Sequence, residues 1–153
     1  ANLLTKDEEP GLEHNGTEKH LQEWLFGNPK ILGEKTESIE REYETGEGPV
    51  DLLLVNDNRP IVVEVKRVAT PAAADQLRRY VESCKESSEK VMKTISGREV
   101  SLDFSQTIGL VAGIDLRPKF LEIIEKRGLE YFRIPENWKD TYKPKDDSLN
   151  LFG

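Results

Sequence analysis

The sequence predicts an α/β fold, a mixed β-sheet core flanked by helices on both faces, and three observations predict it. Two runs of β-favouring residues, VDLLLV at 50–55 and IVVEVK at 61–66, are separated by the turn-rich NDNRP, which is a hairpin pattern. Strand and helix signals then alternate through the second half, and parallel strands need helical crossovers of that kind. A helix-period segment lies before the strands and a longer one follows the hairpin.

Taken in order, residues 1–15 are polar, with Pro10, Gly11 and Asn15, and read as a loose lead-in. Thr17 is placed to cap a short helix, TEKHLQEWLF, that stops near Gly27, Asn28 and Pro29. Leu21, Trp24 and Leu25 share one face of it, with Glu18 at its start. SIEREYET alternates as a strand, Ile39 and Tyr43 on one side and Glu40, Glu42 and Glu44 on the other. After the hairpin, Thr70 and Pro71 suit the N-cap and first turn of a long helix, AAADQLRRYVESCKESSEKVMKTI, whose apolar stripe includes Leu77, Val81 and Cys84. The stretch SGREVSLDFS is expected to be irregular. TIGLVAGI then reads as a buried strand, RPKFLEIIEKRG as a helix ending at Gly128, and LEYFRI as the last strand. One domain over 16–135 is expected, followed by an extended polar tail over 136–153.

Composition narrows the function classes. A chain of 153 residues suits one domain with its own core. Its apolar runs fall far short of the roughly 20 positions a membrane span needs, so no membrane partner is expected. The single cysteine, Cys84, excludes an intrachain disulfide framework and fits a reducing cytoplasm. A net charge of −7 argues against a general polyanion-coating protein. It does not exclude a nuclease, because a catalytic cleft can concentrate its own cations and hold a divalent ion against its carboxylates.

Centring the hairpin turn between Asp57 and Asn58 sets Asp51 directly across from Glu64. Alternation puts Glu64 and Lys66 on one face, with Ile61, Val63 and Val65 on the other. Opposed residues point the same way, so Asp51 joins the polar face. Two opposed carboxylates repel, and a hard divalent cation ligated by oxygen is the natural compensation. Lys66 could orient a water or stabilise charge developing on a phosphate. An exposed Asp, Glu and Lys face is ordinarily only solvated. Here, however, Glu64 and Lys66 interrupt a strand whose other residues look buried, and Gln76 and Tyr80 lie one helical turn apart on the next helix.

These residues resemble a known family. GPVDLLLVNDNRPIVVEVKR is similar to the PD-(D/E)XK nuclease signature, and Gln76-Leu-Arg-Arg-Tyr80 resembles the Q-x-x-x-Y element of its RecB-like branch. With TEKHLQEWLFGNP ahead of them, the same motifs resemble the C-terminal catalytic domain of NucS/EndoMS endonucleases. The resemblance implies a restriction-endonuclease-like core and a metal-dependent endonuclease acting on DNA; a structure- or mismatch-specific role in DNA repair is a further expectation that the likeness does not itself carry. The resemblance also implies Glu18, Asp51, Glu64, Lys66, Gln76 and Tyr80 as catalytic-site residues, and Asp51, Glu64 and Val65 as metal-binding positions for Mg²⁺, with Mn²⁺ as substitute. The other reading open at this point is a catalytically silent nuclease-fold module that binds branched DNA or a protein partner.

Further expectations concern partners. Arg67, Arg78 and Arg79 could contact DNA phosphates, although basic residues on a helix are commonly just solvated surface. Pro49 stands where a basic residue of the family pattern is expected. NucS/EndoMS proteins also carry an N-terminal domain for dimerisation and DNA binding, for which this chain has no room, so a homodimer stays an open expectation. The closing SLNLFG resembles a short hydrophobic peptide that docks on a partner such as a sliding clamp, the alternative being a frayed terminus. His14 and His20 lack metal-ligand partners at useful spacing and read as surface residues, while Trp24 reads as core.

Overall fold

The expected hairpin lies at the centre of the sheet. The computed structural model describes residues 17–143, and its five-stranded sheet has the order β1-β2-β3-β6-β7. The strands are β1 (Thr36–Glu44), β2 (Pro49–Asn56), β3 (Arg59–Val68), β6 (Ile108–Asp115) and β7 (Glu130–Arg133). The first three run antiparallel, whereas β3, β6 and β7 are mutually parallel. The crossovers are α2 (Pro71–Lys85) and α3 (Pro118–Lys126), and α1 covers residues 17–27.

Side-chain alternation divides the core in two. On one face Val62, Leu53, Val55 and Val111 pack with Leu77, Val81 and Cys84 of α2 and with Phe120 and Ile124 of α3. On the other, Leu52, Leu54, Ile61, Val63 and Val65 pack with Leu21, Trp24 and Leu25 of α1. Each of these aliphatic side chains contributes about 1.5–3 kcal/mol by leaving water. Helices on both faces make the central strands apolar on both sides, which is why a carboxylate on β3 is a costly exception.

Several expectations change. Thr17 already lies within α1 instead of capping it, a shift inside the usual uncertainty of a helix end. The helix after Thr70, which does cap it by accepting the Ala73 amide at 3.3 Å, stops at Lys85. The rest forms a separate hairpin of β4 (Lys90–Lys93) and β5 (Glu99–Leu102), so the stretch expected to be irregular is partly strand. Val100, Leu102 and Phe104 are buried against α2 and the sheet. That pairing, with the burial of β5, outweighs the local helical pattern of KVMK, as context often does for strands. The Ile95 amide donates to the Ser38 carbonyl at 2.8 Å and Arg98 Nε to Glu37 at 2.7 Å, and together they fasten the hairpin tip to the edge of β1.

The domain also extends past residue 135. Trp138 is buried, meets Trp24 edge-on at 6.3 Å, and is followed by Thr141, whose hydroxyl accepts the Trp24 indole N–H at 3.1 Å. Residues 138–142 are therefore part of the packed layer over α1, and the polar character of their neighbours hid one large apolar anchor. Trp138→Ala is expected to cost about 3–5 kcal/mol, read as a lower urea midpoint at unchanged slope. A midpoint equal to the native one would place this segment outside the cooperative fold.

Candidate active site

The β2–β3 ladder runs from Asn56↔Arg59 to Leu52↔Val63 and ends there. One step further the expected register sets Asp51 across from Glu64, and at this point the carboxylate replaces the ladder. Asp51 Oδ2 accepts the Val65 amide at 2.8 Å. Beyond Glu64, the strand ladder of β3 continues only with β6, through Glu64↔Val111, Val65↔Ala112 and Lys66↔Gly113. The strands thus leave a notch beside Glu64 with Asp51 as one wall. Gly113 lets β6 approach, since a Cβ there would lie 2.8 Å from the Lys66 carbonyl oxygen.

Glu64 is only 6% exposed. Burial, then the charge of Asp51 and a hydrogen bond with it, pushes its carboxyl up to about 9, and the charge of Glu42 pushes the same way, while Lys66 opposes them. Without a bound cation, Glu64 therefore keeps its proton at neutral pH. Burial chiefly, and the charge of Glu64, also raise the Tyr80 phenol. Tyr80 is buried beneath the β1–β2 turn, where a Cβ on Gly48 would stand 3.6 Å from its hydroxyl. Gly48 has φ +122°, a backbone state that only glycine adopts freely.

A cavity of about 400 Å³ opens beside the notch, lined by Glu18, Glu64, Lys66, Val68, Thr70, Ala72, Ala73 and Gln76. Glu18 reaches it from α1, and its Oε2 accepts the Arg67 amide at 3.1 Å. Four residues of the expected set, Glu18, Glu64, Lys66 and Gln76, thus share one cavity, and Asp51 and Tyr80 adjoin Glu64. Val65 turns its side chain into the opposite core, so only its backbone can serve the notch. Arg67 is half-buried at the end of β3. Arg78 and Arg79 do not line this cavity, although Arg79 borders it through Gln76. They are exposed beside a depression shared with Glu47, Asp75, Glu82 and Glu86, and Arg79 donates to the Gln76 side-chain oxygen at 2.9 Å.

Glu42 was missed as a neighbour of the site. It stands opposite Asp51 on the next strand, between the pairs Arg41↔Leu52 and Tyr43↔Val50. Its φ of +53° costs a non-glycine residue about 1–2 kcal/mol. This kink sends Arg41 and Tyr43 to opposite faces. Arg41 lines a groove under α1 with Trp24 and Phe26, while Tyr43 enters the α2 core. The sequence shows Glu42 only as one of several outward glutamates, and nothing local marks the kink. Among the described residues no three acids, histidines or cysteines converge closely enough to cage a metal ion. What the notch offers is two carboxylates, an ammonium and an open side. His20 is exposed, with its ring 5.4 Å from Tyr142; His14 and SLNLFG lie outside the described residues.

Comparison with known proteins gives the family and the fold. The family model for the endonuclease NucS C-terminal domain matches residues 17–150. Endonuclease NucS of Corynebacterium kroppenstedtii is 34% identical over 122 residues, covering 79% of this chain and 43% of the relative. Endonuclease NucS of Bifidobacterium longum is 30% identical over 146 residues, covering 95% of this chain and 51% of the relative. The chain therefore spans about half the length of the curated relatives it matches. A repair endonuclease from Pyrococcus abyssi superposes with a TM-score of 0.60 at 28% identity, covering 76% of this chain and 46% of that one. EndoMS in complex with double-stranded DNA superposes at 0.61 with 24% identity, covering 76% and 44%, and shares the fold.

The buried carboxyl leaves a signature in stability. Between pH 4.5, the ordinary carboxyl value, and about 9, the folded chain holds a proton on Glu64 that the unfolded chain lacks. Stability therefore falls as pH rises through that window. Glu64→Gln removes the proton uptake. In chelator at pH 8 the variant is expected to exceed native stability by on the order of 1–3 kcal/mol, with the gap closing toward pH 4. Parallel pH profiles of urea unfolding for the two proteins would show that Glu64 is not held neutral by the fold.

Proposed function

The chain belongs to the endonuclease NucS C-terminal domain family, and on that premise we propose that it hydrolyses DNA phosphodiester bonds at the β2–β3 notch with a divalent cation. The observation that carries this reading is Glu64, buried beside Asp51 on a sheet otherwise covered on both faces. A carboxyl so placed favours a proton or a metal over a bare negative charge. The donor set suits Mg²⁺, with Mn²⁺ in its place. Mg²⁺ takes one or two carboxylates and completes its shell with water and phosphate oxygens.

Asp51 and Glu64 are the groups that would hold the ion, with the Val65 backbone next to them. When bound, it would offset charge on the scissile phosphate and lower the pKa of the attacking water. Lys66 is the cation whose charge acts on Glu64, and its ammonium stabilises negative charge as it develops on the phosphoryl oxygens. Asp51 is oriented for its task by the Val65 amide. Glu18 fastens the end of β3 through the Arg67 amide, which keeps α1 and the strand in one position around the cavity. Gln76 lines the cavity from α2, and Tyr80, one turn further on, adjoins Glu64. DNA as the substrate is supported by the related fold that binds double-stranded DNA, and a place in repair by the Pyrococcus relative.

Asp51→Ala and Lys66→Ala are each expected to lower Mg²⁺-dependent cleavage of DNA by on the order of 10²-fold or more, with melting temperatures showing both variants folded. Chelation of divalent ions should abolish cleavage by the native chain, and added Mg²⁺ or Mn²⁺ should restore it. Cleavage that survives both substitutions or the chelator would exclude this site and this chemistry. Retention of DNA with no turnover under any metal would favour a binding module.

A further inference from the structure

With a net charge of −7, where the chain gathers its cations indicates where a polyanion can lie. The outer face of α2 does not gather them. Arg78 and Arg79 share their depression with Glu47, Asp75, Glu82 and Glu86; Asp75 is already paired with Arg127 at 2.6 Å, and the three remaining carboxylates outnumber the two arginines that face solvent there, which does not favour a phosphate backbone. The sheet edge where β3 and β6 both end is different. Lys66 and Arg67 close β3, and Val68 pairs with Asp115 at the end of β6. The segment carrying Arg117 and Lys119 therefore leaves the sheet next to Val68 and Thr70, which are walls of the site cavity.

Both cations are available. Arg117 and Lys119 are exposed, and the first turn of α3 holds no acidic residue, so the helix dipole adds charge of the same sign. The backbone that presents them is held from β7. Arg133 donates to the Ile114 carbonyl at 3.0 Å and to the Leu116 carbonyl at 2.7 Å. Asp115 lies 3.5 Å from the Arg117 guanidinium, with both side chains well exposed. A solvated pair of that kind is readily exchanged for a phosphate.

Resting on the nuclease reading, we propose that the DNA strand held in the cavity runs out across the ends of β3 and β6, its phosphates meeting Arg117 and Lys119 and not Arg78 and Arg79. Phosphate contacts are counted by salt, because each one releases counterions and adds about 0.9 to the slope of log affinity against log salt concentration.

The test compares Arg117→Ala/Lys119→Ala with Arg78→Ala/Arg79→Ala in the 153-residue chain. Binding of a fluorescent DNA duplex is followed by anisotropy in chelator across roughly 50–200 mM salt. The first variant is expected to bind about tenfold more weakly and to lose about 1–2 from the slope. The second keeps the native slope, and both melt as the native chain does. A native chain that cuts DNA, together with an unchanged slope in the first variant or a loss confined to the second, overturns the path and leaves the nuclease reading standing. A native chain that neither binds nor cuts DNA overturns both.

Discussion

The site depends on one unfavourable burial. Glu64 points from a central strand into a protein interior where a bare carboxylate is poorly solvated, and its neighbour Asp51 carries the same charge. A fold selected for stability alone would place an aliphatic residue there, as it does at Val62 two positions earlier on the same face. The conflict between local charge and surrounding burial makes a bare carboxylate unfavourable in the notch; a proton or a divalent ion relieves it and water cannot.

The sheet creates that conflict and limits it. Because the β2–β3 ladder ends at Leu52↔Val63, the Val65 amide is left for Asp51, which fixes a carboxylate at the lip of the notch. Because β3 continues alongside β6, the strand that bears Glu64 and Lys66 stays rigid after it has parted from β2. Gly113 permits this close contact, and α1 contributes Glu18 from the opposite layer. Antiparallel pairing on one side and parallel pairing on the other thus meet at the residue that needs both support and an opening. In this molecule the change of strand direction and the candidate site occupy the same place.

Charge is segregated around this point. Acidic residues crowd β1 and the turns around it, whereas the ends of β3 and β6 and the start of α3 bring Lys66, Arg67, Arg117 and Lys119 together, with Asp115 as the acid among them. For a chain of strongly negative total charge, such local concentration matters more than the sum, because exposed charges are screened beyond about 10 Å at ordinary salt.

Much of this was legible in the sequence. The hairpin, its register, the parallel second half and the two apolar layers all follow from short-range patterns, because period 2 and period 3.6 are dictated by backbone geometry. That Asp51 would stand beside Glu64, one step past the last ladder pair, followed from the turn. Three features depended on contacts outside their own segment. The strand at 90–93 exists because Val100 and Leu102 pair with it and fill the core; Trp138 is buried because Trp24 awaits it; and Glu42 faces Asp51 because a kink in β1 turns it there. The sequence by itself determined which residues carry charge and which strand carries them. Only the tertiary structure decided how deeply Glu64 is buried and which cations border it, because burial and electrostatic field are sums over neighbours that no single segment contains.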